Sequence, residues 1–128
     1  MSIPNGLYYT KDHEWAKVTG SEAVIGITDH AQAALGDIVF VDLPKKGRTL
    51  KSHETFGVVE SIKAVSDLYS PLAGEVVDTN QGAVDNPASV NTSPYDSGWL
   101  IKIKMADPSA LSQLMNPEAY TAFVESLK

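Results

Sequence analysis

The side chains able to do chemistry are few, and their types limit what the chain can do unaided. There is no cysteine, so there is no thiol nucleophile, no thiolate for a zinc site and no disulfide within the chain. His13, His30 and His53 are scattered, with neither helical nor hairpin spacing, which predicts structural or exposed imidazoles and not a metal site. His30 in particular reads as structural or partner-facing, because no second acid–base group stands near it in sequence. Gly-x-Ser-x-Gly, the phosphate loop ending in Gly-Lys-Ser/Thr and the dinucleotide glycine fingerprint are all missing, which removes the usual support for acyl-enzyme hydrolysis and nucleotide binding. Carboxylates are plentiful, and a small carbohydrate-active enzyme stays open at this level, although nothing sets two of them around a sugar-sized cleft. The remaining candidate is a lysine. Lys63 stands at a polar break, Glu60 to Lys63, between two strand-like stretches; if these pair as a hairpin, a primary amine on a flexible stem projects from its tip into water.

The elements that must carry this lysine are legible as short strand-like runs rich in Val, Ile, Tyr and Trp. They are residues 7–10, 13–18, 23–27, 38–42, 55–62, 64–69, 75–78 and 100–104. Gly20, Gly36, Pro44, Gly47, Pro71, Gly74, Gly82, Pro94 and Gly98 punctuate them at the spacing of a β-sandwich or compact barrel. Helix signals are local. Residues 29–35 read as a short helix under an Asp29 cap, closed by Gly36. Asp107-Pro108 and Asn116-Pro117 each place a capping side chain before a proline, which predicts a helical tail at about 107–128 with Tyr120, Phe123, Val124 and Leu127 on one face against the sheet.

With 128 residues, 43% of them hydrophobic, the whole chain 1–128 is expected to form a single domain around one core. A net charge of −6 speaks against nucleic acid and against acidic membrane surfaces as partners. The longest apolar run, Ile38 to Val41, is far short of the roughly 20 residues that cross a bilayer. Met-Ser-Ile-Pro opens no basic, apolar leader, so an intracellular location is expected, and Asn91-Thr92-Ser93 reads as a chance glycosylation triplet. Lys45, Lys46, Arg48 and Lys51 form a basic island, read as a solvated turn between strands, with docking of an acidic partner as the alternative.

The segment from Gly57 to Val76 resembles the modification hairpin of lipoyl domains: Glu60 precedes the lysine by three, Ala64 follows it, and Ser70-Pro71 and Gly74 come after. Biotin carriers usually flank the lysine with methionines where this chain has Ile62 and Ala64, and lipoyl domains of 2-oxoacid dehydrogenase complexes usually place Asp before it. The remaining sequence is similar to the H protein family of the glycine cleavage system. Tyr9 with His13-Glu14-Trp15, the stretch 26–32, Leu35-Gly36-Asp37-Ile38-Val39, and Ser93-Pro94-Tyr95 with Gly98-Trp99 carry that resemblance.

The resemblance implies a mainly β, lipoyl-type (barrel-sandwich hybrid) fold of two antiparallel sheets with short peripheral and C-terminal helices. It implies lipoate on Lys63 as N6-lipoyl-lysine, a swinging arm that takes the aminomethyl group of glycine from the PLP-dependent glycine decarboxylase to the tetrahydrofolate-dependent aminomethyltransferase. Dihydrolipoyl dehydrogenase, a flavoprotein using FAD, reoxidises that arm, and a lipoate-attaching enzyme installs it. The chain itself would catalyse none of these steps. Glu60 and Gly74 are implied in recognition and hairpin geometry, with Gly74 able to take a positive φ, and Glu14 and Asp67 in a groove for the loaded arm. A cytoplasmic location is implied for a bacterial protein and the mitochondrial matrix for a processed eukaryotic one. A lipoyl-relay protein serving other lipoate-dependent proteins is the alternative reading.

Overall fold

Alternating apolar and polar residues between short turns fold into nine strands among the described residues. In chain order these are β1 (Tyr8–Tyr9), β2 (Glu14–Thr19), β3 (Glu22–Ile27), β4 (Ile38–Asp42), β5 (Thr49–Leu50), β6 (Thr55–Ser61), β7 (Val65–Tyr69), β8 (Gly74–Thr79) and β9 (Ile101–Met105). The computed structural model describes residues 2–128; Met1, the first residue of the Met-Ser-Ile-Pro opening, lies outside them. All strand pairings are antiparallel. They make one six-stranded sheet in the order β1-β2-β3-β9-β8-β5 and one three-stranded sheet in the order β4-β6-β7. Neither sheet closes on itself, so of the sandwich and barrel that the spacing allowed, the chain adopts two open sheets.

One core lies between them. Ile25, Ile27, Val76, Ile101 and Ile103 of the large sheet are buried in the same cluster as Val41, Phe56, Val59 and Leu68 of the small one. Their alternation along each strand follows from the two-residue period that sends successive side chains to opposite faces. Each of the eight expected strand runs falls on an observed strand, with ends that differ by a residue or two. Nothing in the residue pattern marks β5, only two residues long, or the five-residue helices α2 (Gln81–Asp85) and α3 (Ala88–Thr92), which are too short to show a helical period.

The first helix, α1 (Asp29–Leu35), is capped by Thr28 and not by Asp29: Thr28 is extended and its hydroxyl accepts from Ala31 N at 3.2 Å. Asp29 already has other donors, Ser2 N at 2.9 Å and Gln32 Nε2 at 2.6 Å, and thereby fastens the start of the chain. At the other end Asp107 and Asn116 cap as expected, the first a 3-10 turn (Pro108–Gln113) and the second α4 (Pro117–Ser126). Tyr120 and Val124 of α4 are buried with Leu7, Tyr9 and Trp15, and Tyr120 stacks on Tyr9 with ring centroids 4.6 Å apart. Leu127, just past the last helical residue, lies beside Val124 on the same side but is 53% exposed.

Gly74 also differs from expectation. Its φ is not positive, and it belongs to no turn: it is the first residue of β8, opposite Leu50 and Met105. The reverse connection after β7 is made by the residues before it, with the Ser70 hydroxyl donating to Leu72 O at 2.6 Å. What Gly74 supplies is room, because a Cβ there would run into the backbone oxygen of Lys104 and approach Ile103 Cδ1 at 3.1 Å. Gly74→Ala is expected to lower the unfolding free energy by about 2 kcal/mol in urea titrations, since backbone cannot yield as a flexible side chain can. An unchanged midpoint would show that β8 and β9 spread without cost.

Candidate functional site

The β6–β7 hairpin sets Glu60 opposite Val65 and closes over Ser61 to Ala64. Ser61 N donates to Ala64 O at 2.8 Å, and the buried Ser61 hydroxyl accepts from Ala64 N at 3.0 Å and Lys63 N at 3.3 Å. A serine side chain thus folds the turn by standing in for backbone acceptors, and no glycine is needed at the tip. Lys63 is exposed there, as the sequence predicted, and among the described residues no carboxylate pairs with its amine.

The tip is tied to the body of the protein. Ile62 N donates to Asp37 O at 3.1 Å, at the corner where the chain leaves α1 for β4. Gly36 makes that corner with φ +79°, a conformation costly for any residue with a Cβ. The Lys63 stem runs over it, with Cε 3.5 Å from where a Gly36 Cβ would sit. Asn91, from α3, braces the same corner: its Oδ1 accepts from Ile38 N at 2.9 Å while its Nδ2 donates to Gly36 O at 2.9 Å and Gln32 Oε1 at 3.0 Å. Sequence reading saw in Asn91 only a chance glycosylation triplet and missed this role, because the partners lie more than fifty residues away.

The other implied residues divide clearly. Glu60 is half-buried in the middle of the small sheet, opposite Phe40 of β4 and Val65 of β7. Asp67 is exposed on β7 opposite Val58, within roughly 13 Å of Lys63 at strand rise. Glu14 comes to the same strand from the large sheet: its Oε2 accepts from Tyr69 N at 3.3 Å, one alternation along from Asp67. Gly74 is on the large sheet and joins none of them.

Glu14 is chemically the most unusual. It is buried, 2% exposed, with no cationic partner among the described residues. Burial pushes its pKa up from the ordinary 4.5 to about 7, against the opposing hydrogen bonds from the Thr10 hydroxyl, 2.8 Å away, and from Tyr69 N. A carboxyl left half ionised near neutrality in a nearly dry place is set up to receive a cation.

The loop before Glu14 is held by a second network that the sequence did not disclose. His13, at φ +66°, packs against His30 with ring centroids 4.3 Å apart and the rings tilted by 30°, and its Nδ1 is 2.8 Å from the Tyr120 hydroxyl. That hydroxyl is in turn 2.8 Å from the Thr28 hydroxyl, so α4, the α1 cap and the start of β2 are joined through polar atoms. Burial holds the His13 pKa below its usual value, helped by the His30 ring and opposed by Asp12. Sequence spacing alone could not pair two histidines that meet only through the fold.

Two antiparallel sheets holding an exposed lysine on a braced hairpin define a protein that presents a side chain to others. The glycine cleavage H-protein family matches residues 7–127. The glycine cleavage system H protein of Myxococcus xanthus is 52% identical over 125 residues, covering 98% of this chain and 97% of that protein. The one from Bacteroides thetaiotaomicron is 53% identical over 124 residues, covering 97% and 98%. The crystal structure of a glycine cleavage system H protein from Mycobacterium marinum superposes with a TM-score of 0.88 at 40% identity, covering 96% of this chain and 99% of that one. The chain belongs to the glycine cleavage H-protein family.

A carboxyl whose pKa is higher folded than unfolded stabilises the fold fully below about pH 4.5, and this contribution is lost as pH rises through about 7. Relative to wild type, Glu14→Gln should therefore gain stability between pH 5 and pH 8, by on the order of 2–3 kcal/mol in urea titrations. A difference between the two proteins that is the same at both pH values would show that Glu14 does not titrate in this range.

Proposed function

We propose that this chain is the lipoate-bearing carrier of a glycine cleavage system, with Lys63 as the attachment point. One observation supports the reading above others: in a chain spanned by the H-protein family, the exposed amine stands on a turn braced to the protein body, with its stem running clear over Gly36. The site suits an amide-linked arm, since the Lys63 amine is open to solvent and is not engaged by a carboxylate among the described residues. In attachment the Lys63 amine forms a C–N bond to the carbonyl carbon of an activated lipoyl donor, the bond from that carbon to the activating group breaks, and the amine gives up a proton.

Lipoate held on Lys63 would supply the sulfur chemistry for carrying the aminomethyl group of glycine between a PLP-dependent glycine decarboxylase and a tetrahydrofolate-dependent aminomethyltransferase, with an FAD-dependent dihydrolipoyl dehydrogenase to restore its disulfide. The protein's own residues hold and shield, and none is catalytic. Glu14 and Asp67 form the groove for the loaded arm, the buried Glu14 carboxylate accepting a charge-assisted hydrogen bond from its ammonium group. That ammonium is the cation Glu14 lacks, and binding it favours the ionised carboxylate. Glu60 serves recognition of the hairpin from the centre of its outer face, and Gly74 contributes through the packing of β8 on β9. Residues 1–128 act as one carrier domain, tail included, in the cytoplasm of a bacterial cell or the matrix of a mitochondrion.

With lipoate, ATP and a lipoate ligase, peptide mass mapping is expected to find a lipoyl group on Lys63 and nowhere else. Lys63→Arg keeps the charge but should stay unmodified, because its guanidinium remains protonated. Because the chain has no cysteine, thiols appearing on mild reduction report the arm alone. Both sulfurs should titrate in the reduced protein, and loading with glycine and glycine decarboxylase should mask one of them until aminomethyltransferase and tetrahydrofolate free it. Lipoylation of Lys63→Arg would overturn the assignment; lipoylation without any response to glycine would leave a lipoyl carrier or relay for another system.

A further inference from the structure

Two turns of this chain share a pattern. Lys11-Asp12-His13-Glu14 leads into β2 and Lys51-Ser52-His53-Glu54 into β6, and both histidines stand at φ +66°. A left-handed residue with a Cβ is costly, so something must hold each turn. The second is held at its glutamate: Glu54 accepts from Lys51 N at 2.9 Å and pairs with the Arg48 guanidinium at 3.0 Å, while His53 is exposed. Glu14 has no such cation among the described residues; its donors are the Thr10 hydroxyl at 2.8 Å and Tyr69 N at 3.3 Å. Here the histidine is gripped instead. Thr28 N donates to His13 O at 2.9 Å, and the His13 ring, packed against His30 and Phe123, meets the Tyr120 hydroxyl. The grip has a direction. Ala31 N donates to the Thr28 hydroxyl oxygen, which leaves the Thr28 proton for the Tyr120 oxygen and the Tyr120 proton for His13 Nδ1. Burial favours the neutral His13 ring that can accept it, and Thr28 and Tyr120 have no exposed surface through which water could replace a missing member. The other titratable groups around Glu14 are Asp12 on its own turn and Tyr120 itself, with His30 of α1 behind His13.

We propose that His13 and Tyr120 are positioning residues for the Glu14 carboxylate, so that the C-terminal helix α4 sets how firmly the ammonium group of the loaded arm is held. The inference rests on the groove reading of Glu14 above. His53, exposed at the same φ, shows that a left-handed histidine needs no grip on its ring to form such a turn, so the grip on His13 serves something besides the turn. What differs is the glutamate beside it. Glu54 is aimed by a guanidinium of the chain's own, whereas a built-in cation at Glu14 would occupy the carboxylate that has to receive one. The aim of Glu14 therefore has to come from behind, through the backbone of its neighbour. The relay from Thr28 through Tyr120 to His13 supplies it without bringing a charge. Without the Tyr120 hydroxyl, His13 Nδ1 loses its donor, the strained turn relaxes, and Glu14 moves away from Tyr69 N toward solvent.

The test has two readouts. In the unmodified full-length chain, labelled with carbon-13, the Glu14 carboxyl is titrated by NMR. Tyr120→Phe, which keeps the ring stacked on Tyr9, should move its pKa from about 7 toward the ordinary 4.5, because a carboxyl nearer to water ionises more readily. The second readout uses the lipoylated chain, loaded with glycine and glycine decarboxylase and then freed of that enzyme. Water slowly breaks the carbon–sulfur and carbon–nitrogen bonds of the aminomethyl group: its oxygen leaves on formaldehyde, and its two protons go to the thiol and to ammonium. Tyr120→Phe and His13→Asn should each speed ammonium release about threefold, the worth of one hydrogen bond. Asparagine tolerates the left-handed conformation, so His13→Asn removes the ring without forbidding the turn. Tyr9→Phe is the control, deleting an equally buried hydroxyl, bonded to Pro4 O at 2.6 Å, from the other ring of the stack; it should melt earlier yet match wild type in both readouts. Glu14→Gln tests the groove itself and should speed release about tenfold. Faster release in Glu14→Gln, with wild-type titration and release in Tyr120→Phe and His13→Asn or with an equal change in Tyr9→Phe, would overturn the positioning role and leave the groove standing. Unchanged release in Glu14→Gln would overturn the groove reading and this inference together.

Discussion

A side chain serves as a tether only when the backbone beneath it stays still, and here that stillness depends on the side-chain amide of Asn91. Its oxygen holds Ile38 N and its nitrogen holds Gly36 O, fixing the corner between α1 and β4. The corner offers Asp37 O to Ile62 N, and that backbone bond, beside the pairing of Ser61 with Ile38, ties the Lys63 turn to the rest of the fold. The chain of support thus runs from α3 through the corner to the tip. Without the amide, two half-buried backbone groups would lose their partners, at a cost of about 1–3 kcal/mol each if water does not replace it. Rigidity is therefore assembled from one side of the hairpin, and the outer side stays free for whatever must approach the lysine.

Glu14 shows the opposite arrangement, a place where the fold gives up stability. A buried carboxylate with a hydroxyl and one amide as donors, and no cation among the described residues, is poorly compensated. The surroundings keep it in position nonetheless: the Thr10 hydroxyl is anchored among the backbone nitrogens of Asp12 and Glu14, and His13 next to it is pinned by Tyr120. Because Tyr120 also reaches Thr28, the C-terminal helix helps to fix the carboxylate's approach to β7. A tail that looks peripheral is thereby coupled to the most polar buried position in the molecule.

How much of this could be read from residues alone varied with the range of the interaction. Strands announced themselves through local alternation, and Asp107 and Asn116 through the proline that follows each. Lys63 was legible because its flanking residues lie within a dozen positions. Thr28 and Asp29 are both good caps, and the donors that engage Asp29, the distant Ser2 amide and the Gln32 side chain, leave the cap to Thr28. Gly74 misled for a related reason: a glycine after a proline suggests a turn, whereas its real constraint is the oxygen of Lys104 on a neighbouring strand. The burial of Glu14, the packing of His13 against His30 and the bracing by Asn91 have no local signature at all. Each pairs groups that only the finished topology brings together.

Among the described residues the small sheet ends at β4 and β7, and β4 reads Ile-Val-Phe-Val. Such a run, with high β-propensity and outward-facing Val39 and Phe40, is the kind of template on which strands from other molecules add to one another. Three features of the chain act against that growth. The shift in register at Val39 kinks the strand, so that a flat partner cannot follow it. Asp37 and Asp42 close the run at both ends, where like charges from a stacked copy would have to lie side by side. The net charge of −6 keeps copies apart before they meet. A run that would otherwise template strand addition is thereby carried on an outer strand without inviting growth.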